Sequence, residues 1–462
     1  MPLAYEELRQ AHVAALNRQL PEHLHRLRWM PEQIREEREG RLRELVRTAK
    51  ERSPWHRERL AGIDPETLND RDLQRLPVMT KTDVMENWDA IVTDRRLNLA
   101  LAEEHLAMLD KDAYLLDHFH TVTSSGSTGR RGVFVYDWDG WSTVMALAMR
   151  NPLAWEVAHP DPRLRVHASL AAERATAITS AAAQTFSNPA LPIVRIPITN
   201  RLADIVARLN EVQPTTLGSY PSMLNLLASE ARAGRLSIHP HRINSTGEPL
   251  LKEMREFIEA ALGAPIFNGY GSTEGLMSHG CGLAGGSHLA DDLTYLEPVD
   301  SAGRPVPPGA RSDKVYFTNL YNLALPLVRY EITDQVTILE EPCPCGSAHR
   351  RVADVEGRLD EVFTYRNGTV VHPYVIRAPL GRQPTILEYQ VRQTARGADI
   401  DVRTVGEARL DDLRREVVSA LTKLGLEHPE VAIRPVEELE RGATGKLKRF
   451  VPLLPAAPAV HP

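Results

Sequence analysis

Between about residues 120 and 280 the chain alternates short apolar runs with helix-period segments, and no other feature limits its fold so strongly. RVHASL (165–170), PIVRIPI (192–198) and TTLGSY (215–220) read as strands, whereas LADIVARLNEV (202–212) and LKEMREFIEAAL (251–262) carry apolar residues at helical spacing. Strands taking turns with helices imply a largely parallel sheet with helical crossovers, which is an α/β body. The flanks follow other rules. Residues 1–60 are rich in Arg, Glu and Leu, with Leu42, Leu45 and Val46 at helical spacing, so they read as a helical extension packed on that body. From about 290 to 340 strands come without helices, as in KVYFTNL and QVTILE. Near Glu356 the pattern changes again. TILEYQVRQT and ADIDVRTV flank a glycine-containing turn, then Leu410, Leu413, Val417, Leu421 and Leu424 share one helix face, and VAIRPV follows. The expected architecture is a large N-terminal α/β body (1–356) with an additional β-rich subdomain, plus a small mobile C-terminal α+β domain (357–462) ending in a frayed Pro/Ala tail.

Composition narrows the function classes. Fifty-five basic residues against 61 acidic ones leave a net charge of −6, which offers no global field for nucleic acid or an anionic membrane. No apolar run approaches the length of a membrane span. Three cysteines in 462 residues make a disulfide framework improbable and point to a reducing cytoplasm. The expected partners are small molecules, with no nucleic acid or membrane, and the expected state is a monomer or homodimer.

One segment serves no core. TVTSSGSTGRRG (121–132) holds six hydroxyl side chains and three glycines. Free backbone N–H groups and hydroxyls suit an anion cradle, above all for phosphate, although a flexible surface loop would look the same. It is not the Walker sequence, because no G-K-[ST] follows at the required spacing. The cysteines form a second constellation. Cys343 and Cys345 lie in PCPCG, and Cys281 lies in SHGCGLAGGSHL between His279 and His288. Three thiolates and an imidazole are a structural zinc set, against the alternative of three unconnected thiols.

The order of motifs decides more than any one of them. SSGSTG (124–129), INSTGEPL (243–250), NGYGSTEG (268–275), PLVRYEITD (326–334), EGRLDEVF (356–363) and GATGKLKRF (442–450) follow one another as in the adenylate-forming ligases. In this order the chain resembles acyl-CoA synthetases and adenylation domains, and most of all the phenylacetate–CoA ligase branch. YPSML, GEPL, CPCG and a phosphate loop without its closing lysine carry that closer likeness. The resemblance implies ATP-dependent activation of a carboxylic acid as its acyl-adenylate with release of pyrophosphate; Tyr136 among small pocket candidates would suit an aryl or aryl-acrylic acid. Transfer to CoA or a nitrogen nucleophile would follow. A nucleotide-binding relative without catalysis, acting as scaffold or sensor, is the alternative.

The same resemblance assigns roles. Ser125, Gly126, Ser127, Thr128 and Gly129 would hold the β- and γ-phosphates. Gly247, Glu248 and Pro249 would pack on adenine; Asn268, Gly269, Tyr270, Gly271, Ser272 and Thr273 would cover its other face and reach the α-phosphate. Glu274 would bind Mg²⁺ and Asp334 the ribose hydroxyls. Lys446 would bridge carboxylate and α-phosphate, Arg358 would help bind the nucleotide, and Arg358 and Asp360 would mark the hinge. Tyr136, Ser180, Ala181 and Ser245 are the acid-pocket candidates. Cys281, His288, Cys343 and Cys345 would hold zinc, with His279 as the other candidate for the imidazole ligand.

Three departures from that pattern matter. Ile332-Thr333-Asp334 lacks the family's glycine, and Arg130-Arg131 stand where Lys-Pro is usual, as replacement cations or as solvent-facing residues. DEVFTYRNGTVVHP (360–373) reads as a hairpin turning on Asn367-Gly368 with both φ angles positive, in place of the loop that admits pantetheine. That reading puts CoA as acceptor in question and leaves an amine or other nitrogen nucleophile to serve as well or better.

Overall fold

The computed structural model describes residues 5–124, 131–163, 165–171, 175–187, 193–353, 362–383, 385–404, 406–440 and 449–453. Two 22-residue helices, Tyr5–Arg26 and Pro31–Arg52, open the chain. The second buries Leu42, Leu45, Val46 and Ala49 against Leu60, Leu68, Leu73 and Leu76, and against Leu320 and Val328 of the distant β-rich region. The extension is therefore welded to the body by a contiguous apolar stripe.

Strands β1 (His120–Thr123) and β2 (Val133–Tyr136) form an antiparallel pair, with Thr123 opposite Val133. The helix Trp138–Ala158 follows, its first turn capped by Asp137, whose Oδ1 accepts from the Gly140 N–H at 2.8 Å. Next comes the expected parallel sheet: β3 (His167–Ala171), β4 (Ile193–Pro197), β5 (Thr216–Ser219), β6 (Arg242–Thr246) and β7 (Ile266–Gly269), in spatial order β4-β3-β5-β6-β7. Its two faces differ. Ala168, Leu170, Leu217, Ile243 and Ile266 point to one side and bury against Ile205, Leu209, Leu224, Leu227 and Ile258 of three crossover helices. The alternate residues form the opposite face, towards the helix Trp138–Ala158. Strand periodicity of two makes this sorting automatic.

The β-rich region follows. Strands β8 (Ser278–Cys281) and β9 (Ala284–Leu289) form a hairpin; β10 (Thr294–Val299), β11 (Lys314–Asn319) and β12 (Tyr330–Ile332) form a second sheet. Strand β13 (Arg351–Val352) adds to β9. QVTILE, expected as a strand, contributes only isolated bridges at Thr337 and Ile338.

The last unit contains β14 (Phe363–Thr364), β15 (Val370–Val371), the helix Pro373–Gly381, β16 (Ile386–Gln393), β17 (Gly397–Thr404), the helix Leu410–Lys423, β18 (Glu430–Pro435) and β19 (Phe450–Val451). Phe363, Val391, Ile400, Leu413, Val417, Leu421 and Phe450 give it its own core. The expected boundary at 356 falls outside the described residues. The β14–β15 hairpin forms, but its turn differs from the expected one. The Gly368 N–H donates to the Tyr365 carbonyl at 2.9 Å, which makes Arg366 and Asn367 the central residues. Of Asn367 and Gly368, only Gly368 has a positive φ (81°), so this is an ordinary turn followed by a left-handed glycine. Asn367 instead hydrogen-bonds the Gly425 carbonyl, tying the hairpin back onto its own unit.

Candidate active site

A cavity of about 920 Å³ opens beyond the C-terminal ends of β3, β5, β6 and β7. Parallel sheets place ligands there because chain crossings leave a crevice at those ends. Three segments expected to act together line it: Gly247 to Pro249, Gly269 to Glu274, and Asp334. Gly247 turns the chain out of β6 with φ 79°, and a Cβ there would lie 3.1 Å from the Tyr220 ring. Only glycine satisfies both constraints.

The turn after β7 is held from behind. The Tyr136 hydroxyl donates to the Thr273 carbonyl (2.7 Å), Asn319 Nδ2 to the Glu274 carbonyl (2.9 Å), and the Tyr321 hydroxyl to the Gly275 carbonyl (2.8 Å). This corrects Tyr136 as a pocket residue: it is fully buried and its hydroxyl is committed to positioning Thr273. Ser180 and Ala181 also lie off the cavity. Only Ala177, Ile178 and Thr179 at the start of their helix touch it, since each helical step rotates the next side chain about 100° away. Asn268 is turned to the sheet's other face by strand alternation, and accepts there from Ser245 Oγ at 2.7 Å. Ser245 itself borders the cavity.

The carboxylates are distinct. Glu274 is buried, with Oε1 accepting from the Tyr330 hydroxyl at 3.2 Å. Asp334 sits at the rim, where Oδ2 accepts from the Tyr270 hydroxyl at 3.0 Å. Desolvation by the surrounding walls raises its carboxyl above the ordinary value, with Tyr270 and Arg449 pulling the other way. Burial likewise raises Glu248, which accepts from the Ser222 N–H at 3.1 Å.

Ser125 to Gly129, together with Arg358, Asp360 and Lys446, lie outside the described residues. The base of the phosphate-loop candidate is described. The Ser124 N–H donates to the Gly132 carbonyl (3.0 Å), and the Gly132 N–H to Ser124 Oγ (2.9 Å), so the loop leaves and returns through one closed pair. Lys81 Nζ donates to the same Ser124 hydroxyl at 2.8 Å and lines the cavity. Arg131 instead faces Glu103, at 3.7 Å. The described cation at the loop base is therefore Lys81, which sequence reasoning missed because it lies 43 residues upstream.

The small unit reaches the rim through Tyr374, Arg377 and Arg449. His372 anchors it. Nδ1 accepts from the Tyr374 N–H (3.1 Å), capping the helix Pro373–Gly381, while Nε2 is 2.8 Å from Ser222 Oγ and 3.6 Å from Glu248 Oε1. Burial pushes the pKa of this imidazole down to about 3.

Away from the cavity, Cys281, His288, Cys343 and Cys345 place their ligand atoms within 4.8 Å of one another. His288 Nδ1 is 3.1 Å from the His349 carbonyl, so that nitrogen carries the proton and Nε2 faces the sulfur atoms. Cys345 Sγ lies 3.3 Å from that nitrogen. His279 is not in the cluster; it lines the cavity.

Residues 124–314 match the AMP-binding enzyme family. The chain is 26% identical to a phenylacetate-coenzyme A ligase of Thermus thermophilus, over 91% of this chain and 97% of that protein. It is 27% identical to one from Pseudomonas putida over 73% of each. A solved 2-hydroxyisobutyryl-CoA ligase, in complex with 2-HIB-AMP and CoA, shares the fold at TM-score 0.59 and 21% identity, covering 92% of this chain and 91% of that one. No described helix is long and apolar enough to cross a membrane.

Proposed function

Because this chain belongs to the adenylate-forming ligases, on their phenylacetate–CoA ligase-like branch, we propose that it converts a carboxylic acid and ATP into an acyl-adenylate and then into an acyl-CoA thioester. The observation that carries this reading is the single cavity joining Gly247–Pro249, the Tyr270–Glu274 turn and Asp334. Adenine packs between the Gly247–Pro249 turn and Tyr270. Asp334 keeps Oδ1 for the ribose hydroxyls while Tyr270 holds Oδ2. Backbone N–H groups of Ser125 to Gly129, with Lys81, receive the terminal phosphates. A carboxylate oxygen then attacks the α-phosphorus and pyrophosphate leaves. Lys446 neutralises the two anions as they meet. In the second step the CoA thiol gives up its proton, sulfur bonds to the acyl carbon, and AMP departs with the electron pair.

Glu274 fits a magnesium role, since it lines the cavity and, among the described residues, the Tyr330 hydroxyl occupies only its Oε1; Mg²⁺ held there would supply positive charge to the phosphate oxygens. Three sulfurs and an oriented imidazole fit a closed structural zinc that links the β8–β9 hairpin to the Cys343–Cys345 loop. The 1–356 and 357–462 division, and a hinge at Arg358–Asp360 that withdraws Lys446 between steps, belong to this proposal. CoA is preferred over an amine because the β14–β15 hairpin folds onto Gly425 and does not line the cavity. A scaffold role has no observation in its favour.

Pyrophosphate release is to be measured over a panel of carboxylic acids, with CoA or amines added to preformed acyl-adenylate. Acid-dependent release followed by saturable thioester formation is the expected result. Release without thioester, but with amide, would move the acceptor; absence of release with every acid would sink the ligase reading.

A further inference from the structure

The sheet's inner face carries side chains in three rows. Nearest the mouth stand Ala171, Tyr220, Thr246 and Gly269; Ser169, Gly218, Asn244 and Phe267 follow; His167, Thr216 and Arg242 lie deepest. Four residues separate the first row from the last, which is about 13 Å at the rise of a strand. Phe267, Pro152 and Met277 make the middle of the cavity apolar. Its deep end is not.

Arg242 is 4% exposed. Its Nη1 donates to the Pro152 carbonyl at 3.0 Å and its Nη2 lies 3.3 Å from Glu156 Oε1. Its Nε is buried and has no hydrogen-bond partner among the described residues. His279, on β8, has a second such atom in Nε2. Burial holds His279 neutral, and Arg242 is near enough to disfavour its protonation further. His167, in the same row as Arg242, leans across Gly218, where a Cβ would lie 3.1 Å from its Nε2. A buried polar atom left unpaired costs about 1–3 kcal/mol, and two of them belong to residues lining one ligand cavity. Arg242 Nε–H can only donate, so what answers it is an acceptor.

We propose that the acid activated here is polar at both ends: its reacting carboxylate lies at the mouth, beside Gly271 to Thr273, and its far end carries a second oxygen function, hydroxyl or carboxylate, received by Arg242 and His279. The inference rests on the ligase reading and names its substrate class. A ring or short chain fills the apolar middle. An acid with a plain hydrocarbon end leaves the deep polar atoms unpaired, and a site built for hydrogen bonds discriminates strongly against such an analogue.

Three probes of matched length test it: 3-phenylpropanoate, 3-(4-hydroxyphenyl)propanoate and 3-(4-carboxyphenyl)propanoate. Calorimetric binding to the full chain is expected to be at least tenfold tighter for one or both oxygen-bearing acids. Which of the two gains identifies hydroxyl or carboxylate. Arg242→Met and His279→Phe should each reduce that preference. The wild-type comparison stands even where a variant fails to fold. Equal or tighter binding of 3-phenylpropanoate, or binding of none at millimolar concentration, overturns the proposal. Pyrophosphate release is read in parallel: an oxygen-bearing acid that binds while no acid supports release would overturn the ligase reading and leave the pocket assignment intact.

Discussion

The two faces of the five-stranded sheet come from the same residues in alternation, yet they do different work. On the outer face Leu170, Leu217, Ile243 and Ile266 are at most 2% exposed and carry no chemistry. On the inner face their neighbours Ser169, Gly218, Asn244 and Phe267 form the floor of the cavity. Parallel strands covered on both faces usually read as continuous apolar runs. Here polar or small residues occupy every second position of R-I-N-S-T and H-A-S-L-A. Such a face does not close on a covering helix; it holds a space open for a ligand.

The division can be attacked most directly within β6. Ile243→Ala should destabilise by about 2–5 kcal/mol, the range for a buried aliphatic truncated in a packed core. Its neighbour Asn244→Ala should shift the denaturation midpoint little and act on the acid's KM instead. Equal stability losses in both would break the contrast. Catalysis should separate from stability elsewhere too. Lys446→Ala should slow adenylation by on the order of 10² or more, with ATP affinity within a few-fold and the melting curve unchanged. Near wild-type pyrophosphate exchange in that variant would remove Lys446 from the chemistry.

The metal cluster should behave like the outer face. One zinc per chain is expected by elemental analysis, and Cys343→Ser should lower the melting temperature by several degrees while leaving acid selectivity in place. A metal-free protein of unchanged stability would contradict this. The smallest effect concerns His372. Its imidazole is held neutral when folded, with a pKa near 3 against an ordinary 6.5. The unfolded chain therefore binds a proton that the native chain refuses, and stability falls as pH drops below about 6.5 towards 3. Above that window the group contributes no slope. His372→Gln should flatten the acid limb by about 2 kcal/mol at pH 5, read by urea titration at several pH values. An identical limb would place the sensitivity in other buried histidines, such as His56, lowered to about 4 by its own burial.

Local pattern alone determined a good deal of this protein. The strand and helix alternation of 165–262 needs only side-chain periodicity. The family resemblance carried by the motif order implied that Gly247 to Pro249, Tyr270 to Glu274 and Asp334 share one site, and the cavity they line agrees. The cysteine set was legible because thiolates and imidazole have few other reasons to cluster; the resemblance favoured His288 over His279, as the cluster bears out, but spacing alone did not choose between them. That choice depends on β13 pairing with the other edge of β9, which brings the His349 carbonyl to His288, while His279 on β8 stays in the cavity wall. Tyr136 looked like pocket lining because a strand tyrosine can face either way, and only packing against Thr273 decided it. Lys81 and His372 were invisible for a related reason: each acts through a partner far along the chain, Ser124 and Ser222. Periodicity tells which residues share a face. It does not tell what that face meets, because contacts between distant segments form only when the whole chain has folded and buried them together.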